Sequence, residues 1–257
     1  MTALVTGAAR RLGRAMVLEL ARRGHDVAVH FDSSEADAEA TAVAARALGV
    51  KAVSLQADLL DFDATGGLIG RAVDALGPLN VLVNNASIFE YDTLQTASQK
   101  SWTRAMDSNL RAPMFLTQAF AAQVTRGAVD ARGEAIASAN VINMVDQRVR
   151  KLTPGFASYT LAKLGLWGLT QTAAQLLAPD IRVNAIGPGP TMKGARQSDE
   201  HFAAQRKAVI LQRGADDAEI ARCMGFILDS PSLTGQLICM DGGQHLAWKT
   251  PDILGVE

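Results

Sequence analysis

The chain has 257 residues, of which 48% are hydrophobic and 20% charged, and its formal net charge is −1. That composition suits one large α/β unit with a sizeable core, and near-neutrality leaves no electrostatic reason to expect nucleic acid or a membrane surface as a partner. No apolar run approaches the ~20 residues that span a bilayer, and no signal segment precedes the first strand. The two cysteines, Cys223 and Cys239, lack a metal-ligand spacing. They read as buried thiols of a reducing, cytoplasmic protein with no metal site.

Short apolar runs alternate with longer segments of helical periodicity. Ala3–Thr6 predicts a first strand, and Leu12–Arg23 a helix closed by Gly24. Val27–Phe31 is a second strand and Glu35–Leu48 an Ala-rich helix ending at Gly49. Ala52–Gln56 is a third strand, and a helix over Phe62–Leu76 stops at Gly77-Pro78. Val81–Asn84 follows as a fourth strand, then a long helix through much of Ser98–Val124 and a Gly/Ala-rich surface loop over Arg126–Ala137. Asn140–Met144, Ile181–Ala185 and Gln236–Met240 complete seven strands, with helices at Ala157–Leu177 and Asp216–Asp229. Repeated β-α units with strands buried on both faces predict an α/β, doubly wound parallel sheet with helices on both faces. No linker or repeat divides the chain, so residues 1–257 read as a single domain, with a variable substrate segment over about 190–213.

Four segments at strand ends are candidates for a dinucleotide. Thr6-Gly7-Ala8-Ala9-Arg10-Arg11-Leu12-Gly13 joins the first strand to a helix. Its backbone N–H groups and the helix N-terminus can take a pyrophosphate, with Gly7 and Gly13 allowing close approach. Asp58-Leu59 follows the third strand and offers a carboxylate to an adenine amino group. Asn85-Ala86-Ser87 ends the fourth strand, where open sheets bind ligands. Pro188-Gly189-Pro190-Thr191 follows the sixth and could meet a nicotinamide carboxamide. Cofactor preference is contested. Asp32 stands near the position where an acid grips a ribose 2′-hydroxyl, favouring NAD(H). Arg10, Arg11, Ser33 and Ser34 suit a 2′-phosphate, and the last strand residue, Phe31, is not acidic. The balance points to NADP(H).

The chemistry is concentrated in Asp146, Tyr159 and Lys163. Tyr and Lys four apart share one helix face, and a fixed ammonium is expected to lower the phenol's pKa toward working pH. A phenol so tuned exchanges a proton with a reacting carbonyl or imine.

Taken in order, Thr6-Gly7…Gly13, Asp58, Asn84-Asn85-Ala86, Asn109, Asp146, Tyr159…Lys163, Pro188-Gly189 and Asp241-Gly242-Gly243 resemble the short-chain dehydrogenase/reductase family over essentially the whole chain. The resemblance implies a Rossmann-type domain working as a homotetramer. It implies Tyr159 as proton donor, Lys163 as the group that tunes it and holds the nicotinamide ribose, and Asn109 as the end of a water-linked relay. Two departures are informative: Arg11 stands where the family has glycine, and Asp146 where it has serine. Both are similar to the pteridine reductase branch, with its bacterial dihydromonapterin/dihydrofolate reductases. There Phe89 would stack a pterin against nicotinamide, and Asp146 would face the ring nitrogens and amino group that suit a carboxyl partner. His245 and the tryptophans Trp102, Trp167 and Trp248 read as structural, with Trp248 near enough to the C-terminus to approach a substrate.

The leading expectation is an NADPH-dependent pterin reductase. The alternatives are a carbonyl reductase of a 3-oxoacyl- or sugar-type substrate, and a cofactor-binding regulatory protein without turnover.

Overall fold

A computed structural model describes residues 1–194 and 197–250. Seven parallel strands form one sheet: β1 (Thr2–Val5), β2 (Asp26–Phe31), β3 (Ala52–Gln56), β4 (Val81–Asn84), β7 (Ala139–Met144), β8 (Ile181–Pro188) and β9 (Leu237–Met240). Their order is β3-β2-β1-β4-β7-β8-β9. The connecting helices are α1 (Arg11–Arg22), α2 (Glu35–Arg46), α3 (Phe62–Leu76), α4 (Gln99–Met106), α5 (Ala112–Gln123), α6 (Ala157–Leu177), α7 (Asp199–Lys207) and α8 (Asp217–Leu228).

Helices cover both faces of the sheet, which is why β1 and β4 are apolar runs rather than alternating ones. Ala3 and Val5 of β1 pack with Met16, Val17 and Leu20 of α1 on one face. Leu4 points to the other, where Leu68, Leu116 and Phe120 from α3 and α5 gather. Each such fully buried Leu or Phe contributes about 1.5–3 kcal/mol. From β1 the chain winds to β2 and β3 on one side and returns to β4 on the other. The carboxyl ends of β1 and β4 therefore flank the crevice where open α/β sheets take ligands.

Three expectations need correction and a fourth is refined. The helix expected through much of Ser98–Val124 runs over 99–123, but it contains a π-helical turn over Asp107–Arg111, invisible to a pattern that tracks only apolar spacing. The 126–137 loop holds an exposed hairpin, β5 (Ala128–Val129) with β6 (Ala135–Ile136). Strand β8 runs on to Pro188, because its added residues pair with β7 and β9. The 190–213 segment contains α7, started by Ser198, whose hydroxyl accepts from the His201 N–H; Ala195 and Arg196 of that segment lie outside the described residues. Among the described residues no helix is long and apolar enough to cross a membrane.

Candidate active site

A cleft of about 1390 Å³ opens at the strand ends. Every expected cofactor residue except Lys163 lines it: Gly7, Arg10, Arg11, Leu12 and Gly13 after β1; Phe31, Asp32, Ser33 and Ser34 after β2; Asp58 and Leu59 after β3; Asn85, Ala86 and Ser87 after β4; Tyr159; and Pro188, Gly189 and Thr191 after β8. A smaller cleft of about 470 Å³ between α1 and α8 is lined largely by arginines and carboxylates of the helix surfaces.

The glycine turn is as tight as its spacing suggests. Gly7 has φ +59°, and an added Cβ would stand 2.9 Å from the Ala86 Cα. A Cβ on Gly13 would stand 2.3 Å from the Gly7 carbonyl oxygen and 2.8 Å from the Asn85 amide. That amide donates to the Thr6 and Gly7 carbonyls at 2.9 and 3.0 Å, so it cannot give way. Gly13→Ala is therefore expected to weaken NADPH binding by at least an order of magnitude and to lower Tm by several degrees. Fluorescence titration and a thermal melt check both, and unchanged affinity would mean the turn does not cradle the dinucleotide.

Arg11, standing where glycine was expected, has φ +55°. This strained conformation costs roughly 1–3 kcal/mol for a non-glycine residue. Its guanidinium donates to the Lys193 and Met192 carbonyls at 2.8 and 3.2 Å, fastening the 190–213 segment to the glycine turn. Arg10 instead reaches the β2 end, donating to the Ser34 hydroxyl and pairing with Asp37 at 3.2 Å. Asp58 accepts from the Leu60 N–H at 2.8 Å, so its carboxylate also caps a turn.

His30 on β2 was not among the expected residues. Its Nδ1 accepts from the Gly7 N–H at 3.0 Å, which requires Nε2 to carry the proton it shares with the Ala57 carbonyl at 3.0 Å. Burial lowers its pKa from 6.5 to about 4. The folded form thus binds fewer protons than the unfolded chain between those values, and stability is lost as pH falls through that window. The loss from this group alone is about 3 kcal/mol, from ~1.4 kcal/mol per unit. His25, also lowered by burial, adds to it with the same sign. Urea midpoints at pH 7 and pH 4 should show the drop, and His30→Asn should shrink it. A pH-independent midpoint would mean His30 is not neutral in the fold.

Asp146 follows β7, and the Tyr159 hydroxyl donates to its Oδ2 at 3.0 Å. Its Oδ1 accepts from the Arg148 N–H at 2.8 Å, so the same carboxylate caps a short turn over Gln147–Arg150. Crowding by protein atoms pushes the Asp146 carboxyl up, against the Arg148 N–H and charge, the Tyr159 hydroxyl and Lys163. The Tyr159 phenol lies well above its usual value, through burial first and then the Asp146 charge and hydrogen bond; the Arg148 charge and Ser87 hydroxyl pull the other way. This corrects the expectation of a lowered phenol. Desolvation of the buried ring is the largest cause, and Lys163, whose Nζ lies 5.6 Å from the ring centroid, is not among the groups that offset it. The phenol accordingly keeps its proton. Lys163 lies beneath the cleft, its Nζ donating to the Met144 carbonyl at 2.7 Å, and burial lowers its pKa to about 8.

Asn109 sits in the π-helical turn, fully buried behind the cleft wall. Its amide nitrogen donates to the Ile88 and Ala105 carbonyls, and its oxygen accepts from the Ser87 hydroxyl at 2.7 Å. Phe89 lines the cleft, stacked on Phe156 at 4.2 Å and edge-on to Tyr159 at 4.7 Å. Phe156, Arg148 and α7's Phe202 also line it and were not expected; nothing in their spacing marks them, because they arrive from loops and from a helix the pattern did not reveal. Asp241 is 2% exposed. It accepts from the Gly243 N–H and from the His245 backbone and ring, and its Cα would stand 2.6 Å from a Cβ on Gly189. His245 is thus structural. Trp167 packs against the buried cluster of Val145, Leu166, Ala185 and Leu237, but Trp102 and Trp248 are exposed, and Trp248 does not line the cleft. Cys223 is buried and Cys239 only half-buried.

A family model described as short chain dehydrogenase matches residues 1–203. A solved structure of FolM alternative dihydrofolate reductase 1 from Brucella suis in complex with NADP is 42% identical, with a TM-score of 0.91 over 98% of both chains. A short chain dehydrogenase from Burkholderia cenocepacia, also in complex with NADP, is 30% identical, with a TM-score of 0.85 over 95% of this chain and 97% of that one. The 3-oxoacyl-[acyl-carrier-protein] reductase FabG of Staphylococcus aureus is 34% identical over 250 residues, 95% of this chain and 98% of its own.

Proposed function

The chain belongs to the short chain dehydrogenase family, and we propose that within it this protein is an NADPH-dependent reductase of a pterin, taking a dihydropterin, dihydromonapterin or dihydrofolate to the tetrahydro form. Family membership makes it an oxidoreductase, which sets aside the non-catalytic reading. The observation that carries the proposal is the Asp146 carboxylate bonded to the Tyr159 hydroxyl at 3.0 Å, where the family's serine would otherwise stand.

The glycine turn, which no Cβ at Gly7 or Gly13 could share, fits a dinucleotide pyrophosphate. Arg10 and Ser34, already joined at the β2 end, fit a 2′-phosphate. Asp32 is exposed there, so it costs little to leave unpaired. NADPH, when bound, supplies the hydride.

The chain's own residues handle the proton. Tyr159, kept protonated by burial and by Asp146, is placed to give its hydroxyl proton to a ring nitrogen as negative charge develops there. Asp146, its own proton held more tightly than in water, can hydrogen-bond a neighbouring ring nitrogen or amino group and pass a proton on. Lys163, cationic below about pH 8 and fixed by the Met144 carbonyl, stabilises the phenolate left behind. Asn109 and Ser87 form the polar wall behind the phenol, along which it is reprotonated. Phe89, stacked on Phe156 and edge-on to Tyr159, lines the cleft beside the place where a planar heterocycle would lie.

The resemblance to FolM alternative dihydrofolate reductase supports this substrate class. A second reading, reduction of a carbonyl, draws on the likeness to FabG. NADPH oxidation with dihydrobiopterin, dihydromonapterin, dihydrofolate and simple ketones separates the two: turnover of pterins is expected, and turnover of ketones alone would sink the pterin reading. The whole chain is taken as one catalytic domain in a cytoplasmic homotetramer, an assembly that would cover the exposed Met114, Leu161 and Leu176 of α5 and α6.

A further inference from the structure

Asp92, in the loop between β4 and α4, is a buried carboxylate that none of the steps above uses; it is 3% exposed. Its Oδ1 accepts from the Ser158 N–H at 3.0 Å, and its Oδ2 from the hydroxyls of Ser158 and Ser101 at 2.5 and 3.0 Å. Its backbone carbonyl accepts from the Phe156 and Ala157 N–H groups at 2.7 and 3.3 Å. Ser101 is itself half of the capping box with Ser98 that starts α4. One residue therefore ties the first turn of α4 to the first turn of α6, which carries Tyr159. Burial pushes this carboxyl up, but the hydrogen bonds from Ser158, Ser101 and Ala157 outweigh it and hold the pKa below the usual carboxylate value.

What Asp92 holds is strained. Phe156 has φ +60° and ψ +47°, the left-handed region that bulky side chains avoid. Such a conformation persists only where its surroundings over-determine it. The result is a specific placement of rings. Phe156 lies parallel to Phe89, 4.2 Å away and inclined by 5°. Tyr91 meets Phe156 edge-on at 5.1 Å, and the Arg148 guanidinium lies 5.1 Å from its centroid. Phe89 in turn rests edge-on against Tyr159. If the Phe156 backbone relaxed out of the left-handed region, its ring would leave Phe89 and the first turn of α6 would shift with it.

We infer that Asp92 is a positioning residue, a clamp: its carboxylate, anchored on Ser158 and Ser101, holds its backbone carbonyl against the Phe156 N–H, keeps Phe156 in its left-handed conformation and thereby sets the Phe89–Phe156 ring pair against the Tyr159 phenol. The inference rests on the reading of Tyr159 as proton donor. Because the clamp acts on placement of the reacting groups and not on the glycine turn, its loss lowers the rate while cofactor affinity stays. A displacement of about 1 Å at the reacting groups can cost on the order of 10²-fold.

The test compares Asp92→Ala, Asp92→Asn and Ser158→Ala with Tyr159→Phe and with Asp180→Ala, which removes a remote carboxylate that accepts from the Gly127 N–H. Each is made in the full chain and assayed for kcat on dihydrofolate, or on the carbonyl compound the substrate panel selects, for NADPH Kd and for Tm. Asp92→Ala should lose about 10²-fold in kcat with NADPH Kd changed less than about threefold. Asp92→Asn should recover most of the rate, since its amide oxygen still accepts from Ser158 and the serine hydroxyls can turn to accept from its nitrogen. Asp180→Ala should lower Tm without a comparable loss of kcat. Parent-like kcat in Asp92→Ala, with Tyr159→Phe inactive, overturns the clamp and leaves the Tyr159 reading standing. A loss of NADPH affinity in proportion to kcat, or a kcat loss in Asp180→Ala as large as that in Asp92→Ala, also overturns it. Near-parent activity of Tyr159→Phe brings down the underlying reading instead. Should Asp92→Ala fail to fold, Ser158→Ala decides: roughly tenfold lower kcat at unchanged NADPH Kd supports the clamp, and unchanged kcat refutes it.

Discussion

Tyr159→Phe is expected to lower kcat by about 10³-fold, within the range that a positioned acid contributes, while NADPH binds with near-parent affinity. The substitution removes one oxygen, the one that donates to Asp146 Oδ2. The ring contact with Phe89 and the Lys163–Met144 hydrogen bond survive, so the cleft keeps its shape. Asp146 loses the hydroxyl that helps hold its pKa down, and its carboxyl moves further up. NADPH oxidation under saturating substrate, paired with a fluorescence titration, measures both quantities. A rate near the parent's would remove Tyr159 from the reaction.

Asp146→Ser separates substrates rather than abolishing activity. Dihydropterin turnover should fall by on the order of 10²-fold, and ketone turnover by much less, because a serine hydroxyl suffices to hydrogen-bond a simple carbonyl. The pH dependence carries a sign of its own. Burial raises the Asp146 carboxyl, so the form that donates a proton persists to higher pH than an ordinary aspartic acid and is lost as pH rises through that raised value. The pterin rate should decline along the same limb, and the limb should vanish in Asp146→Ser. Equal losses on both substrate classes would show that the carboxylate is not a device for nitrogen heterocycles.

The order of elements, the parallel sheet and the glycine turn were legible in the chain because they depend on short-range rules. Strand ends, glycine positions and helix periodicity are local, and parallel pairing follows from the alternation of β and α. The π-helical turn at Asn109 was not legible, because one extra residue in a turn leaves the apolar spacing on either side almost intact. Helix α7 was missed for a different reason: none of its residues is buried, so it writes no apolar stripe. His30 looked like an ordinary strand residue until β2 brought it under Gly7.

The amino-acid sequence by itself determined which groups are available for chemistry and the order in which they appear: a glycine turn, an Asp–Tyr–Lys constellation, and an aspartate in place of serine. Only the tertiary structure decided how those groups are charged and held. Proton affinity depends on the atoms around a group in three dimensions, so burial reversed the expected direction for Tyr159 while leaving Lys163 cationic at neutral pH. Placement likewise depends on contacts remote in sequence. Asp92 meets Ser158, 66 residues away, and a strained Phe156 is held where its ring lies against Phe89. No local pattern records such a pairing, because neither partner's spacing changes when the other is present.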